Sequence, residues 1–254
     1  IPDFAACHSA EIDECANELA AMGDLARQNQ VRLTMHPGHY IQLSSADATR
    51  VARSQQELTV CAALLSAMGL GAAAVVVIHV GGLYGDKRAS LERFAHHFLA
   101  LPPPVRQRVA LENDDRSFDL QDLLWLHKRT GVRIVLDTLH QRCLNGGDYS
   151  LGEALALALA TWPADQQPKI HFSTPRTEIR HLYRNRQRYL AMPLANQHSD
   201  FLNVFEFIDL LQGAQAAELR PFDIMLEAKA KELALLRLRN QLAHYAPALA
   251  AWVL

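Results

Sequence analysis

Short apolar runs alternate with longer amphipathic stretches along the whole chain. Six of these runs are rich in Val, Ile, Leu or Met and nearly continuous in apolar character, which is typical of strands buried on both faces of a parallel sheet. The predicted strands are residues 32–35, 74–80, 109–112, 133–137, 169–173 and 223–227. The predicted helices around them are residues 11–28, 47–68, 91–99, 118–128, 151–160, 201–211 and 231–244.

The alternation of strands and helices predicts an α/β fold with right-handed crossovers. A complete (β/α)₈ barrel has eight strands in about 250 residues, and this chain has that length with six predicted strands. It is therefore either a doubly wound open sheet or a TIM-type barrel that lacks its first two strands. The chain opens on Ile1-Pro2-Asp3 and not on Met. We therefore expect a single, N-terminally truncated, TIM-barrel-like catalytic domain over residues 1–254.

Net charge, cysteine spacing and the length of the apolar runs limit the classes of function that this chain could have. The net charge of −2 argues against a general nucleic-acid coat, so any DNA contact must come from a local patch or from bound cations. The four cysteines show no CxxC spacing, which fits a reducing compartment. No apolar run is long enough to span a membrane, and no signal peptide is visible. These features predict a cytoplasmic location.

Metal-competent side chains stand at the C-terminal end of every predicted strand, which is the edge where α/β active sites are built. One such residue alone is more often a rim histidine or a helix cap, but seven at six successive strand ends favour a shared site. Imidazoles and carboxylates without thiolates suit Mn²⁺ or Zn²⁺, and a cluster of this size could hold two or three ions. The residues are His36, His79, Glu112, Asp137, His140, His171 and Glu227.

The same positions carry a family resemblance. The run His36-Pro37-Gly38-His39-Tyr40 is similar to the HPGQY motif of UV damage endonucleases. Further matches follow in the family's order at HVGG (79–82), LENDD (111–115), DTLH (137–140), KIH (169–171) and EAKAKE (227–232). The chain therefore resembles this family, which is related in fold and metal site to endonuclease IV and more distantly to sugar isomerases.

The resemblance implies a role for each matching residue. One metal would be held by His36, His79 and Glu112. Glu112 would bridge to a second metal held by Asp137, His171 and Glu227, and His140 and His198 would hold a third. Asp200 would either join the third site or cap a helix that starts at Phe201. The implied catalytic residues are Glu112, His140 and Lys169. Lys169 is either a carboxylated lysine, a lysine at the rim, or a lysine paired with Asp137 or Glu227.

The resemblance also implies DNA contacts. Residues 174–196 form a long basic connection, in which we expect Arg176 and Arg180 to bind phosphates. His39 and Tyr40 are expected to probe the lesion and not to hold metal. His39 stands where the family has glutamine, so its side chain titrates near neutrality.

The implied function is a metal-dependent repair endonuclease that cuts damaged double-stranded DNA on the 5′ side of UV photoproducts and other distorting lesions. It would act as a monomer in the cytoplasm, at the nucleoid. An abasic-site endonuclease or general phosphodiesterase is the first alternative. A metal-dependent sugar isomerase or epimerase is the second, and a non-catalytic remnant is the third.

Overall fold

The computed structural model describes residues 10–38 and 40–253. Residues 10–14 are helical and precede the first complete helix. The helices are α1 (Ala16–Gln28), α2 (Ala48–Ala67), α3 (Lys87–Leu99), α4 (Pro103–Arg106), α5 (Leu120–Thr130), α6 (Thr138–Cys143), α7 (Leu151–Ala160), α8 (Val204–Ala216), α9 (Glu232–Tyr245) and α10 (Pro247–Ala250). The strands are β1 (Val76–Ile78), β2 (Val109–Glu112), β3 (Arg133–Val135), β4 (Lys169–Phe172), β5 (Arg180–Arg184), β6 (Gln187–Ala191) and β7 (Asp223–Leu226). All seven predicted helices are present, and all but the one at Leu151–Ala160 have shifted ends.

The chain divides into two compact units, each of which is described by itself. Unit 1 comprises the described residues up to Asn113, together with Gln121–Val135 and Thr161–Gln167. It holds the parallel sheet β1-β2-β3, in which Ile78 pairs with Leu111 and Glu112 with Val135. All residues of these three strands are buried, as their continuous apolar character predicts.

The strand predicted at residues 32–35 is wrong. Only Met35 pairs with the sheet, through its amide to Val75 O at 2.9 Å and its carbonyl to Val77 N at 2.8 Å. Pro37 follows two residues later and has no amide hydrogen to donate, so the pairing cannot continue beyond Met35 towards the C-terminus. The segment therefore forms one isolated parallel bridge to β1, at Met35, and no strand.

Trp162 organises the core of unit 1, where it packs with Val75, Val77, Ala110 and Val135. Its indole nitrogen donates a hydrogen bond to Ile134 O at 2.7 Å.

Arg133 stacks on the same tryptophan ring, with its guanidinium carbon 5.0 Å from the ring centroid. The guanidinium also donates to Gln166 Oε1 at 2.6 Å. Burial, with smaller contributions from Arg32 and Arg108, lowers the pKa of Arg133 to about 10, so it stays charged at neutral pH. The charge at the start of β3 is therefore held by hydrogen bonds and by the aromatic face.

Unit 2 comprises Asp114–Leu120, Leu136–Ala160 and the described residues from Pro168 onward. Its parallel pair β4-β7 places Lys169 beside Asp223 and His171 beside Met225. Asp137 joins the other side of β4 through a parallel bridge to His171. The structure thus has five parallel strands among its described residues, one fewer than predicted.

The segment 174–196, expected to be a loop, contains the antiparallel hairpin β5-β6. Its two-residue turn is Asn185-Arg186, and both residues have positive φ, at 50° and 61°. Positive φ at both central positions is the type I′ geometry whose twist matches that of the paired strands. The many arginines hid the alternation that marks a strand, because neither face of this hairpin is apolar.

We expect Asp47→Ala to lower the free energy of unfolding by about 1 kcal/mol, because Asp47 caps α2. Its side chain accepts hydrogen bonds from Thr49 N at 2.9 Å and Arg50 N at 3.3 Å. Urea unfolding of the purified protein measures the change. Asp47→Asn keeps a capping oxygen and should stay close to the wild-type value; an equal loss in both variants would contradict the capping role.

Candidate metal centre

In unit 1, two histidines converge on the buried carboxylate of Glu112, at the C-terminal end of β2. His36 Nε2 lies 2.8 Å from Glu112 Oε2, and His79 Nε2 lies 3.7 Å from the same oxygen. The Glu112 side chain is 1% exposed, whereas His36 is 36% exposed. The site is therefore buried at the carboxylate and open to solvent at the imidazoles.

Strand geometry explains why these residues meet. Glu112 ends β2, His79 follows the end of β1, and His36 follows the residue that bridges to β1. Parallel neighbours bring equivalent ends to one edge. The Nδ1 atom of His79 lies 3.3 Å from the carbonyl of Glu112, which orients its ring and points Nε2 at the carboxylate.

In unit 2, the side chains of Asp137, His140 and His198 form a second group whose ligand atoms lie within 4.8 Å of one another. Asp137 is fully buried, and its carboxylate accepts from His140 N at 2.7 Å, so it also caps α6. The rings of His140 and His198 are 5.9 Å apart.

Glu227, just after β7, contributes a further carboxylate to unit 2. Its two oxygens lie 3.2 Å from His171 Nδ1 and 3.6 Å from His198 Nδ1. His171 is held by its own amide, which donates to Leu136 O at 2.9 Å. The bridge to Asp137 and the pairing of β4 with β7 thus place these donors together.

The donor sets fit divalent cations. Donors that share one ion at about 2.1 Å lie about 3 to 4 Å apart, so small side-chain movements would bring the atoms of either unit onto an ion. Two imidazoles with one carboxylate, without thiolates, suit Zn²⁺ or Mn²⁺. The catalytic candidate Lys169 is buried in β4, two residues before His171, and alternation along a strand puts the two side chains on one face.

Arg176 and Asp200 form an ion pair at 3.0 Å, in which the arginine side chain is 5% exposed and the aspartate 53%. Asp200 is not a helix cap, because α8 begins at Val204 and the Asn203 side chain accepts from Phe205 N. It is also outside the group formed by Asp137, His140 and His198.

A cavity of about 550 Å³ beside His198 is lined by cationic and amide side chains. Two of them, Arg176 and Arg180, are the residues expected to bind phosphate. Lys229 was overlooked as a lining residue, although the sequence EAKAKE contains it. The lining residues are Arg176, Arg180, Asn196, Gln197, His198 and Lys229.

The sequence did not predict a hydrogen bond that joins two loops of unit 2. The Asn196 side chain donates to the Asp115 carboxylate. Burial raises the pKa of Asp115, but the hydrogen bonds from Asn196 and the backbone, with the charges of His140 and Arg116, outweigh it and lower the pKa overall. Asp115 therefore stays ionised and anchors the loop that carries His198. Nothing in the linear spacing of the two residues could have shown this contact.

Of the two residues expected to probe the lesion, Tyr40 is 71% exposed. His39 lies outside the described residues.

Residues 3–250 match the family model described as UV-endonuclease UvdE. A UV DNA damage endonuclease of Halalkalibacterium halodurans is 33% identical over 91% of this chain and 67% of its own length. A UV DNA damage endonuclease of Clostridium perfringens is 26% identical over 90% of this chain and 52% of its own length. The chain thus spans between half and two thirds of the length of these relatives.

Among solved structures, the crystal structure of SacUVDE matches with a TM-score of 0.76 and 33% identity, covering 91% of this chain and 72% of that one. Endonuclease IV from Thermus thermophilus matches with a TM-score of 0.57 and 16% identity, covering 90% of this chain and 81% of that one. At that identity the second likeness shows the fold alone. The predicted α/β, TIM-barrel class, of the xylose-isomerase-like type, is confirmed by these neighbours.

We expect Asp137→Asn to weaken binding of one Mn²⁺ or Zn²⁺ by roughly tenfold or more, because the neutral amide is a poorer ligand for a divalent cation. Asparagine caps helices as well as aspartate does, so stability should change little. Metal titration by calorimetry measures the loss. The matched control is Asp47→Asn, the same change at the cap of α2; equal metal affinity in both variants would exclude Asp137 as a ligand.

Proposed function

The chain belongs to the UvdE family of UV endonucleases, and we propose on that basis that it is a metal-dependent DNA repair enzyme. It hydrolyses the phosphodiester bond on the 5′ side of UV photoproducts and other distorting lesions in double-stranded DNA. The observation that carries the proposal is the buried carboxylate of Glu112 with two imidazole nitrogens within 3.7 Å of one oxygen. A carboxylate and imidazoles that converge at the C-terminal end of a strand favour a cation site.

The chain would hold two or three ions, Mn²⁺ or Zn²⁺. His36, His79 and Glu112 would hold one, and Asp137, His171 and Glu227 would hold another. His140 and His198 would hold a third. Bound there, the cations would supply neutralisation of the charge that develops on the phosphate.

The protein's own groups position and neutralise the substrate. Arg180 and Lys229 line the cavity beside His198 and supply positive charge for the phosphates that flank the cut. Arg176 is also a lining residue, and its pairing with Asp200 fixes the guanidinium at one place. Lys169, buried beside His171 on β4, balances the carboxylates of unit 2 in its charged form or adds a ligand if it is carboxylated.

The three positively charged side chains of the cavity, Arg176, Arg180 and Lys229, also help to choose between the alternative functions. A neutral sugar needs no such cluster, so a sugar isomerase or epimerase is a weaker explanation of the same fold. An abasic-site endonuclease would use the same metals and phosphate contacts, and it differs only in the lesion. The incompleteness of the barrel, the monomeric state and the cytoplasmic location stay predictions, whereas the predicted count of six strands is corrected to five parallel strands among the described residues. No helix within residues 10–38 and 40–253 is long and apolar enough to cross a membrane.

A nicking assay on supercoiled plasmid tests the function. Plasmid exposed to ultraviolet light should be converted to the open circle in the presence of Mn²⁺, and untreated plasmid should remain supercoiled. Plasmid that carries only abasic sites tests the first alternative, because an abasic-site endonuclease would nick it and would leave photoproducts uncut. Equal nicking of irradiated and untreated plasmid, or nicking that survives a chelator, would refute the proposal.

We expect Glu112→Gln to abolish most of the nicking and to weaken metal binding at the site of His36 and His79, because the substitution removes the charge of the buried carboxylate that both imidazoles face. Metal stoichiometry and single-turnover nicking measure the two effects. The control is Glu92→Gln, which removes an exposed carboxylate that pairs with Arg88 at 3.0 Å. Normal stoichiometry with normal nicking in Glu112→Gln would rule out Glu112 as a metal ligand.

We expect Tyr40→Ala to reduce the preference for damaged over undamaged duplex while metal content stays at the wild-type level. The exposed ring can fill the gap left by a weakly stacked photoproduct, and stacking contributes about 1–3 kcal/mol per base. His39→Ala is expected to act in the same direction. Filter binding to paired damaged and undamaged duplexes measures the preference. Lost metal, or an unchanged preference in both variants, would show that neither residue probes the lesion.

A further inference from the structure

The β5-β6 hairpin exposes both of its faces. Every residue of the two strands is exposed except Ala191, which is half-buried. A two-stranded ribbon with no covered face buries little apolar surface and is marginally stable by itself. A partner that covers the ribbon would supply the missing contacts.

The charge of the hairpin indicates an anionic partner. The sequence from Arg176 to Ser199 contains five arginines and one acid, Glu178, although the whole chain has a net charge of −2. Arg176 is paired with Asp200, so the remaining four arginines give the hairpin its charge. They are Arg180, Arg184, Arg186 and Arg188.

The arginines are distributed over both faces and the tip. Side chains alternate across a strand, so the cross-strand pairs fall into two sets. One face carries Arg180 and Arg184, and the other carries Arg188, whose guanidinium contacts the His181 ring. Arg186 lies at the turn. Cations on two opposite faces fit a partner that places anions on both sides of the ribbon.

We propose that the β5-β6 hairpin enters the major groove of duplex DNA, with arginines of its two faces contacting phosphates of the two strands. The proposal rests on the proposed function and adds a second contact to it, separate from the metal ligands. The major groove is about 12 Å wide and admits a two-stranded ribbon, whereas the minor groove is only about 6 Å wide. Phosphates line both walls of the groove, which matches the two-sided charge.

The apolar residues of the hairpin agree with this placement. Tyr183 is 72% exposed and Leu190 is 60% exposed, and both lie on the face that carries Arg188. On the other face, Leu182 pairs with Tyr189 between Arg180 and Arg184. A hairpin that lay on an anionic membrane would have its apolar side chains on one face and its cations on the other. Here both faces mix the two classes, which favours DNA.

The first experiment measures binding to an undamaged duplex as a function of salt, with the metal-loaded protein of residues 1–254. The double variant Arg184→Gln with Arg186→Gln should lower the slope of log affinity against log salt by about 1.8, because each lost phosphate contact removes about 0.9. At about 0.15 M salt this is a loss of roughly 30-fold. The corresponding lysine double variant keeps the charge and should keep the slope.

The matched control is Arg50→Gln with Arg53→Gln, which removes the same charge from exposed positions of α2. This variant should keep the wild-type slope. Thermal unfolding and metal content should be unchanged in all variants, since every substituted side chain is exposed.

The second experiment identifies the groove. Wild-type protein should protect guanine N7 from dimethyl sulfate, the glutamine double variant should lose that protection, and a minor-groove ligand should not compete with either protein. An unchanged salt slope in the glutamine variant, or protection in the minor groove alone, would overturn the proposal. Loss of binding to anionic phosphatidylserine vesicles with unchanged DNA binding would identify a membrane partner instead.

The two proposals fail separately. Wild-type protein that neither binds nor nicks irradiated plasmid would refute the proposed function. Wild-type protein that nicks irradiated plasmid, with a glutamine variant of unchanged salt slope, would refute only the groove contact.

Discussion

The structure depends on the burial of two carboxylates, Glu112 at 1% exposure and Asp137 at 0%. A carboxylate out of water is costly unless it is hydrogen-bonded, paired or bound to a cation. The imidazoles of His36 and His79 face the first, and the backbone of α6 with His140 faces the second. The strands, loops and helix cap around each carboxylate place hydrogen-bonding or imidazole partners beside it.

Because these carboxylates need partners, single residues serve several structural roles at once. Asp137 bridges to β4, caps α6 and belongs to a metal-competent group, so its backbone, its capping oxygen and its charge are all in use. Asp115 stays ionised and holds Asn196, which lies two residues before His198. Because the same atoms serve folding and ligand placement, the donors are positioned by the fold before any cation binds.

Charge is distributed unevenly over the molecule. The carboxylates of Glu112, Asp137 and Glu227 belong to the metal-competent groups, and five arginines and Lys229 lie in the cavity beside His198 or in the β5-β6 hairpin. A chain with a net charge of −2 therefore still carries local patches of positive charge.

The apolar period and the polar residues at strand ends were enough to determine the α/β class, five of the six strands and the metal-competent positions, because both are local signals. The sequence alone could not show that residues 32–35 pair only at Met35, because the pairing depends on how the backbone of this segment lies against β1. The β5-β6 hairpin was hidden because its exposed faces carry no hydrophobic alternation. The pairings of Arg176 with Asp200 and of Asp115 with Asn196 were decided by tertiary structure, because long-range contacts between polar side chains leave no periodic trace.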